Sequence, residues 1–313
     1  MTIQQLQYIT AIDTHRHFAR AAEACFVTQP TLSSMVKKLE EELGVVLFDR
    51  TKSPVVPTAP GALLVEQARA VLKEVDVFKT MADGTKKEQE GELRIGVIPT
   101  LAPYLLPLFL GKLLHKYPGI RVSVEELTTE VITGQLSHGQ LDVGLLATPL
   151  GVAGLREEPL FTERFLLYVS PQEGIGKKHY VLPSEIRADR LWLLEEGHCL
   201  RSQVLDLCHL RQRSTGSSRF AYVSGSMEAL MRMVDAQGGL TIVPELATAG
   251  MDAAQLARIR EFRAPVPVRE ISMVTYRHSM KGRLQEALGE CVMEGVRTRL
   301  KQPRKALLLP VND

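Results

Sequence analysis

The chain has 313 residues, 45% hydrophobic, 24% charged and 5% aromatic, with 38 basic against 36 acidic side chains and a net charge of +2. At about 100–200 residues per domain this is material for two or three globular domains, and it excludes a collagen, a disordered chain and a disulfide-dense miniprotein. Any nucleic-acid surface on so nearly neutral a chain has to be local.

The chain opens without a basic segment followed by an apolar one, so no signal peptide is expected. Ile3, Leu6 and Ile9 recur at helical spacing and predict a helix over residues 2–13. A second helix is expected through Phe18-Ala-Arg-Ala-Ala-Glu-Ala24, where small residues permit a close crossing, and then a turn at Cys25–Val27. Thr28 reads as an N-cap and Pro30 suits a first helical turn, where its missing N–H is not needed. A third helix then carries Leu32, Met35, Val36, Leu39 and Leu43 inward and ends at Gly44. Two short helices joined by a tight turn predict a helix-turn-helix. Its solvent face holds Gln29, Thr31, Ser33 and Ser34 for base edges and Lys37 and Lys38 for phosphates. Two short strands within residues 45–51 and 55–58 would form a wing, with Arg50 and Lys52 placed for the DNA backbone. Acidic and basic residues balance over this segment, so a three-helix structural subdomain with solvated faces competes with DNA binding on pattern alone.

The segment resembles the LysR-type transcriptional regulators. The resemblance rests on Phe18-Ala-Arg-Ala-Ala22, Thr28-Gln-Pro-Thr-Leu-Ser33, Lys38-Leu-Glu40, Leu43-Gly44, Leu47-Phe-Asp-Arg50 and Thr58-Ala-Pro-Gly61. It implies a winged helix-turn-helix over residues 1–60 that binds double-stranded promoter DNA, with RNA polymerase as a further partner.

From Gly61 to about Lys87, Leu63, Leu64, Ala68, Val71, Leu72, Val75 and Phe78 form an apolar stripe on a long helix. Either it packs on its own domain or, as the resemblance implies for residues 61–90, it links the domains and pairs two subunits. A polar hinge is expected over residues 86–91. Strands are then predicted at residues 92–98, 121–125, 143–147, 165–169, 240–244 and 271–276. Helices are predicted at 104–117, 131–138, 227–234 and 282–300. The apolar stretch 104–114 is too short to span a bilayer and holds Pro107 and Lys112. A soluble, cytoplasmic chain without membrane contact is therefore expected. Alternating strands and helices predict an α/β domain with a mainly parallel sheet and a ligand cleft at the carboxyl ends of strands. Thr100 follows the first of these strands and Thr128-Thr129 the second, where they line that cleft or cap helices. The late strand is expected to return to the first lobe. The resemblance implies a periplasmic-binding-protein-like regulatory domain over 91–303, with one lobe from 91–163 and 268–303 and the other from 164–267.

Four cysteines, Cys25, Cys199, Cys208 and Cys291, are too few for a disulfide scaffold, and in a reducing compartment a disulfide would be transient, catalytic or sensory. Gly197 can break the chain so that Cys199 opens a helix over residues 200–210, flanked by His198 and Arg201, with Glu195 and Glu196 opposing thiolate formation. Nine helical steps would place the Cα atoms of Cys199 and Cys208 about 13 Å apart, whereas a disulfide needs about 4.4–6.8 Å. A bond between them would therefore require remodelling of the helix. Buried, inert cysteines are the competing reading, Cys208 lying at helical spacing from Val204 and Leu205. Metal binding by His198, Cys199, Cys208 and His209 lacks the spacing of an ordinary zinc knuckle, and no metal or cofactor is expected.

Gly197-His-Cys-Leu-Arg201 with Cys208 nine residues on from Cys199 is similar to the peroxide-sensing branch of the LysR-type family. The similarity extends over His15-Arg-His-Phe18, Ile98-Pro-Thr100, Pro103-Tyr-Leu-Leu-Pro107, Thr129 and Leu240-Thr-Ile-Val-Pro244. It implies that hydrogen peroxide oxidises Cys199 and that Cys208 resolves it as a disulfide. It assigns Thr100, Thr129, His198 and Arg269 to peroxide binding, and glutaredoxin or a similar thiol reductant to the reset. It also implies a homo-oligomer built as a dimer of dimers, and a regulator rather than an enzyme. A regulator answering to a small metabolite, with incidental cysteines, and a thiol peroxidase with an appended DNA-binding domain are the alternatives. Cys25 and Cys291 read as structural. The polar loop 211–218, Gln237 and the tail 301–313 depart from the family pattern.

Overall fold

The computed structural model describes residues 1–82, 91–195, 198–208, 225–277, 279 and 281–311. The hinge residues 86–90, Glu196, Gly197, His209 and the loop 211–218 lie outside this set. The chain divides into two compact units, Met1–Lys86 and Lys87–Asp313.

In the first unit, α1 (Ile3–His15) starts at a capping box. The Thr2 hydroxyl accepts from the Gln5 N–H, and the Gln5 side chain accepts from the Thr2 N–H. After α2 (Phe18–Ala24), α3 (Gln29–Leu43) is capped by Thr28, whose Oγ1 accepts from the Thr31 N–H at 3.4 Å. It stops at Gly44, where φ is 67° and a side chain would be strained. Leu6, Ile9, Ile12, Ala21, Ala22, Leu32, Val36 and Leu39 form the core. Leu43, expected inward, is exposed instead, because the chain turns away at Gly44 before any element covers it. The wing is the antiparallel pair β1 (Phe48–Asp49) and β2 (Val56–Pro57). Glu40 of α3, one of the acids that balance the charge of this segment, is not solvated but buried against the wing. Its Oε1 accepts from the Leu47 N–H at 2.8 Å and its Oε2 from Arg50 Nη2 at 2.8 Å.

Helix α4 (Ala59–Ala82) buries Val65 and Ala68 in this core, and Arg69 pairs with Asp13 at 2.8 Å. The same helix leaves Leu63, Val71 and Phe78 exposed.

The second unit runs β3 (Gly91–Val97), α5 (Ala102–Lys116), β4 (Ile120–Glu126), α6 (Thr129–Ser137), β5 (Val143–Thr148), β6 (Leu155–Val169), β7 (Tyr180–Val181), α7 (Cys199–Leu207), α8 (Met227–Gln237) and β8 (Leu240–Pro244). It continues through α9 (Ala253–Leu256), β9 (Ile259–Phe262), β10 (Val266–Tyr276), α10 (Gly282–Val296) and β11 (Ala306–Leu308). Helix α10 ends at Val296 rather than at residue 300, since the Arg299 N–H turns back to the Val296 carbonyl.

Among the described residues the strand order is β4-β3-β5-β10-β6-β9-β7, with β8 on β6 and β11 on β10. The sheet is mixed, not mainly parallel: β3 pairs parallel with β4 and β5, but β10 runs antiparallel to β5 and β6, and β6 antiparallel to β8 and β9. The reason is that β6 and β10 are the two chain crossings between lobes and run in opposite directions. One lobe has its core around β3, α5, β5 and α10, the other around the end of β6, α7, α8 and β8. The second unit is thus a two-lobed, periplasmic-binding-protein-like α/β domain.

Gly61 enters α4 so close to the wing that a Cβ there would stand 2.0 Å from the Leu47 carbonyl oxygen. Gly61→Ala should lower stability by about 1–3 kcal/mol, read as a fall in the urea midpoint of the helical circular-dichroism signal. An unchanged midpoint would contradict this approach.

Candidate functional site

The antiparallel register of the two crossing strands sets Arg269 of β10 opposite Glu163 of β6. Both are fully buried, with Arg269 Nη2 2.7 Å and Nε 2.9 Å from Glu163 Oε1. Two further guanidinium bonds go to Thr100, in the turn between β3 and α5: Nη1 donates to its Oγ1 at 3.0 Å and Nη2 to its carbonyl at 3.2 Å. Glu163 Oε2 accepts from the Leu246 N–H at 3.1 Å. A buried charge pair persists only when further hydrogen bonds compensate its lost hydration, and Thr100 and Leu246 supply them here. Because Thr100 Oγ1 accepts from Arg269, its own proton is left for another acceptor. The hydroxyls of Thr100 and Thr129 do not cap helices, the N-cap of α6 being Thr128.

Cys199 is the first residue of α7 and His198 its N-cap, and both are buried. Burial pushes the Cys199 thiol above its ordinary value. The Arg269 charge, the Thr129 hydroxyl and the backbone N–H groups of Leu200 and Cys199 pull the other way. Cys199 thus lies within electrostatic reach of Arg269 and beside Thr129. Thr129 Oγ1 is buried and makes no well-formed hydrogen bond among the described residues, and the Tyr104 hydroxyl is in the same position. Burial, with Glu228 adding, pushes the Tyr104 phenol up to about 12, and Arg269 partly offsets this. His198 Nε2 lies 3.6 Å from Glu195 Oε1. Next to it, a Cβ on Gly225 would meet Glu195 Oε1 at 2.8 Å.

Cys208 sits at the other end of α7 as its C-cap. All four cysteines are free thiols. The side chain of Cys199 belongs to the core of the first lobe and that of Cys208 to the core of the second. Burial pushes the Cys208 thiol up to about 12. The structure thus brings Thr100, Thr129, Arg269 and Cys199 together and keeps Cys208 apart from them. No group of three or more His, Cys, Asp or Glu side chains able to hold a metal ion occurs among the described residues.

Glu163, the charge partner of Arg269, was not anticipated. It lies in a strand whose pattern reads as ordinary, and only the register reveals the pair. Tyr104 lies in the Pro103–Pro107 motif, which does not single it out as a site residue, and Gln203 carries no sequence signal at all.

On the helix-turn-helix, Thr28, Gln29, Pro30, Thr31, Ser34, Lys37 and Lys38 are exposed and Ser33 is half-buried. The hydroxyls of Thr28 and Thr31 are 2.8 Å apart. Arg50 is engaged: besides Glu40 it reaches Ser33 Oγ at 3.4 Å and lies over the Phe18 ring at 5.1 Å. Lys37 and Lys52 form loose surface pairs, each at 3.8 Å, with Glu41 and Asp49.

Residues 3–62 match the model of the bacterial regulatory helix-turn-helix proteins of the lysR family, and residues 86–297 match the LysR substrate binding domain. The "Hydrogen peroxide-inducible genes activator" of Haemophilus influenzae is 38% identical, covering 88% of this chain and 90% of its own length. A full-length cysteine-to-aspartate variant of OxyR from Pseudomonas aeruginosa superposes with a TM-score of 0.77 at 33% identity, over 94% of this chain and 98% of that one. A hydrogen-peroxide-bound cysteine-to-serine variant of OxyR from Corynebacterium glutamicum gives a TM-score of 0.60 at 28% identity, over 98% of each chain.

Replacing Arg269 by Met leaves Glu163 buried without its partner, so Arg269→Met should cost about 3–5 kcal/mol of unfolding free energy. An effect below about 1 kcal/mol, the range of an exposed pair, would mean that the pair is not buried in solution. Because the Cys199 thiol is held high, the thiolate fraction is small at neutral pH and grows as pH rises. The rate of Cys199 alkylation should climb steadily from about pH 6 to 9; a flat rate over that window would mean a thiol already ionised.

Proposed function

The chain belongs to the lysR family of bacterial helix-turn-helix regulators, in its OxyR group, and on that premise we propose that it is a DNA-binding transcriptional regulator switched by hydrogen peroxide through Cys199. The observation that carries the proposal is the position of Cys199 at the start of α7, beside Thr129 and within electrostatic reach of Arg269, which is itself bonded to Thr100.

In the first step the Cys199 thiolate attacks one peroxide oxygen. The S–O bond forms, the O–O bond breaks, and the leaving hydroxide takes a proton and departs as water. Thr100 donates the proton left free by its bond from Arg269, and Thr129 supplies a buried hydroxyl beside the thiol, so that both orient the peroxide. Arg269 favours the thiolate and the developing hydroxide. His198, next to Cys199, is the remaining polar group at the thiol.

In the second step the Cys208 thiolate attacks the Cys199 sulfenic sulfur. The S–S bond forms, the S–O bond breaks, and hydroxide leaves. Nine helical steps and two separate cores stand between the sulfurs, so α7 has to open first. Opening also hydrates Cys208, which its burial otherwise keeps protonated. Each oxidation converts the chain once, and a dithiol reductant such as glutaredoxin resets it. The protein is therefore a switch rather than an enzyme.

At the other end, α3 enters the major groove with Thr28, Gln29, Pro30, Thr31, Ser33, Ser34, Lys37 and Lys38, while Arg50 and Lys52 lie toward the backbone of promoter DNA. The exposed Leu63, Val71 and Phe78 of α4, at nearly heptad spacing, pair two copies, and two such dimers associate. The altered oligomer is what RNA polymerase meets. Among the described residues no helix is long and apolar enough to cross a membrane, consistent with work at DNA in the cytoplasm.

About one equivalent of peroxide, the amount set by one two-electron oxidation, should join Cys199 to Cys208 by mass spectrometry. Cys199→Ser should abolish the bond together with the change in DNA footprint. No oxidation at that dose, or an unchanged footprint, would sink the sensor reading, and fast repeated turnover would point to a peroxidase. Lys37→Ala or Ser33→Ala should weaken operator binding by about 3–10-fold. Undiminished binding would put the recognition face elsewhere.

A further inference from the structure

The match to the LysR substrate binding domain ends at residue 297, but the chain beyond it is not loose. Strand β11 adds to β10 in parallel, Ala306 opposite Val266 and Leu308 opposite Val268, immediately before Arg269. The Val266 N–H donates to the Lys305 carbonyl and the Leu309 N–H to the Val268 carbonyl, each at 2.9 Å. Leu309 is buried in the core of the second lobe, and Val311 packs against the core of the first.

One further bond ties this tail to the redox helix. Gln203 is fully buried midway along α7, between Cys199 and Cys208. Its Nε2 donates to the Leu309 carbonyl at 2.9 Å. Its Oε1 is buried without a hydrogen-bond partner among the described residues. A core position that needed only volume would be filled by an apolar side chain. A buried glutamine with half its amide unsatisfied is costly, unless the one bond it makes is what the position provides.

We propose that Gln203 is a positioning residue, and that with the β11 tail it forms a latch holding α7 helical while Cys199 reacts. This rests on the reading of Cys199 and Cys208 as the redox pair. Neither Gln203 nor Leu309 donates to Cys199 or Cys208 through its side chain. The latch bears on the step in which α7 must open, the attack of Cys208 on the Cys199 sulfenic acid with loss of hydroxide. Holding the helix closed keeps the sulfenic acid waiting and separates a brief peroxide exposure from a committed disulfide. The tail also supports β10 beside Arg269, so a single segment touches both halves of the switch.

The two steps can be timed separately in the full-length chain. Sulfenic acid at Cys199 is trapped chemically in a Cys208→Ser background, and the disulfide is followed with both cysteines present, using hydrogen peroxide at one equivalent. Gln203→Met keeps the side-chain volume and removes the donor; Leu309→Pro removes the N–H that ties the tail to Val268. The second step should accelerate about 3–10-fold in either variant, the ratio expected for one net hydrogen bond, with the first step unchanged within about twofold. The double variant should gain less than the product of the two, since both break one latch. A residue that merely fills the core would lower the unfolding midpoint and leave the ratio of the two rates alone. An unchanged or slower second step in both variants, alongside normal disulfide formation in the unsubstituted chain, overturns the latch and leaves the sensor reading intact. Absence of the disulfide in the unsubstituted chain overturns both.

Discussion

The Arg269–Glu163 pair is the constraint on which the regulatory unit depends. Two opposite charges stripped of water are stable only if further hydrogen bonds compensate their lost hydration. Here the compensation comes from three separate places: Thr100 in the turn after β3, the backbone at Leu246, and the two crossing strands themselves. Elements far apart in the chain are thereby locked into one geometry at the junction of the lobes. The same cation then acts on Cys199, where it opposes the effect of burial. One buried guanidinium thus both holds the ion pair and bears on the thiol.

In the proposed switch, helix α7 is the movable counterpart to that fixed pair. Its first residue packs with one lobe and its C-cap with the other, so its helical form keeps the two thiols in different cores. Joining them exchanges helical hydrogen bonds and buried apolar contacts for one covalent bond. Such an element is a two-state device, because a packed helix opens as a unit rather than by degrees. The tail bound at Gln203 adds to the closed state, and the charge pair beside it supplies a base that does not shift.

Much of this was legible in the residues. The helix-turn-helix declares itself locally: Thr28, Pro30 and Gly44 occupy the cap, first-turn and terminator positions that their chemistry suits. Cys199 as the opening residue of a helix, and the distance problem it creates with Cys208, also follow from local rules. Leu43 and Glu40 were misjudged because their burial depends on where the chain turns after α3 and on the wing folding back over it. The mixed sheet was missed because a strand's direction relative to its neighbours is not written in its own alternation.

What the amino-acid order determined, then, is everything set by near neighbours: the helices and their caps, the wing, and the place of each thiol on α7. Tertiary structure alone decided the partnership of Arg269 with Glu163 and Thr100, the assignment of two thiols to two cores, and the reach of Leu309 to Gln203. These contacts join residues about a hundred or more positions apart. Their energies come from burial and strand register, which exist only once the lobes have closed on one another.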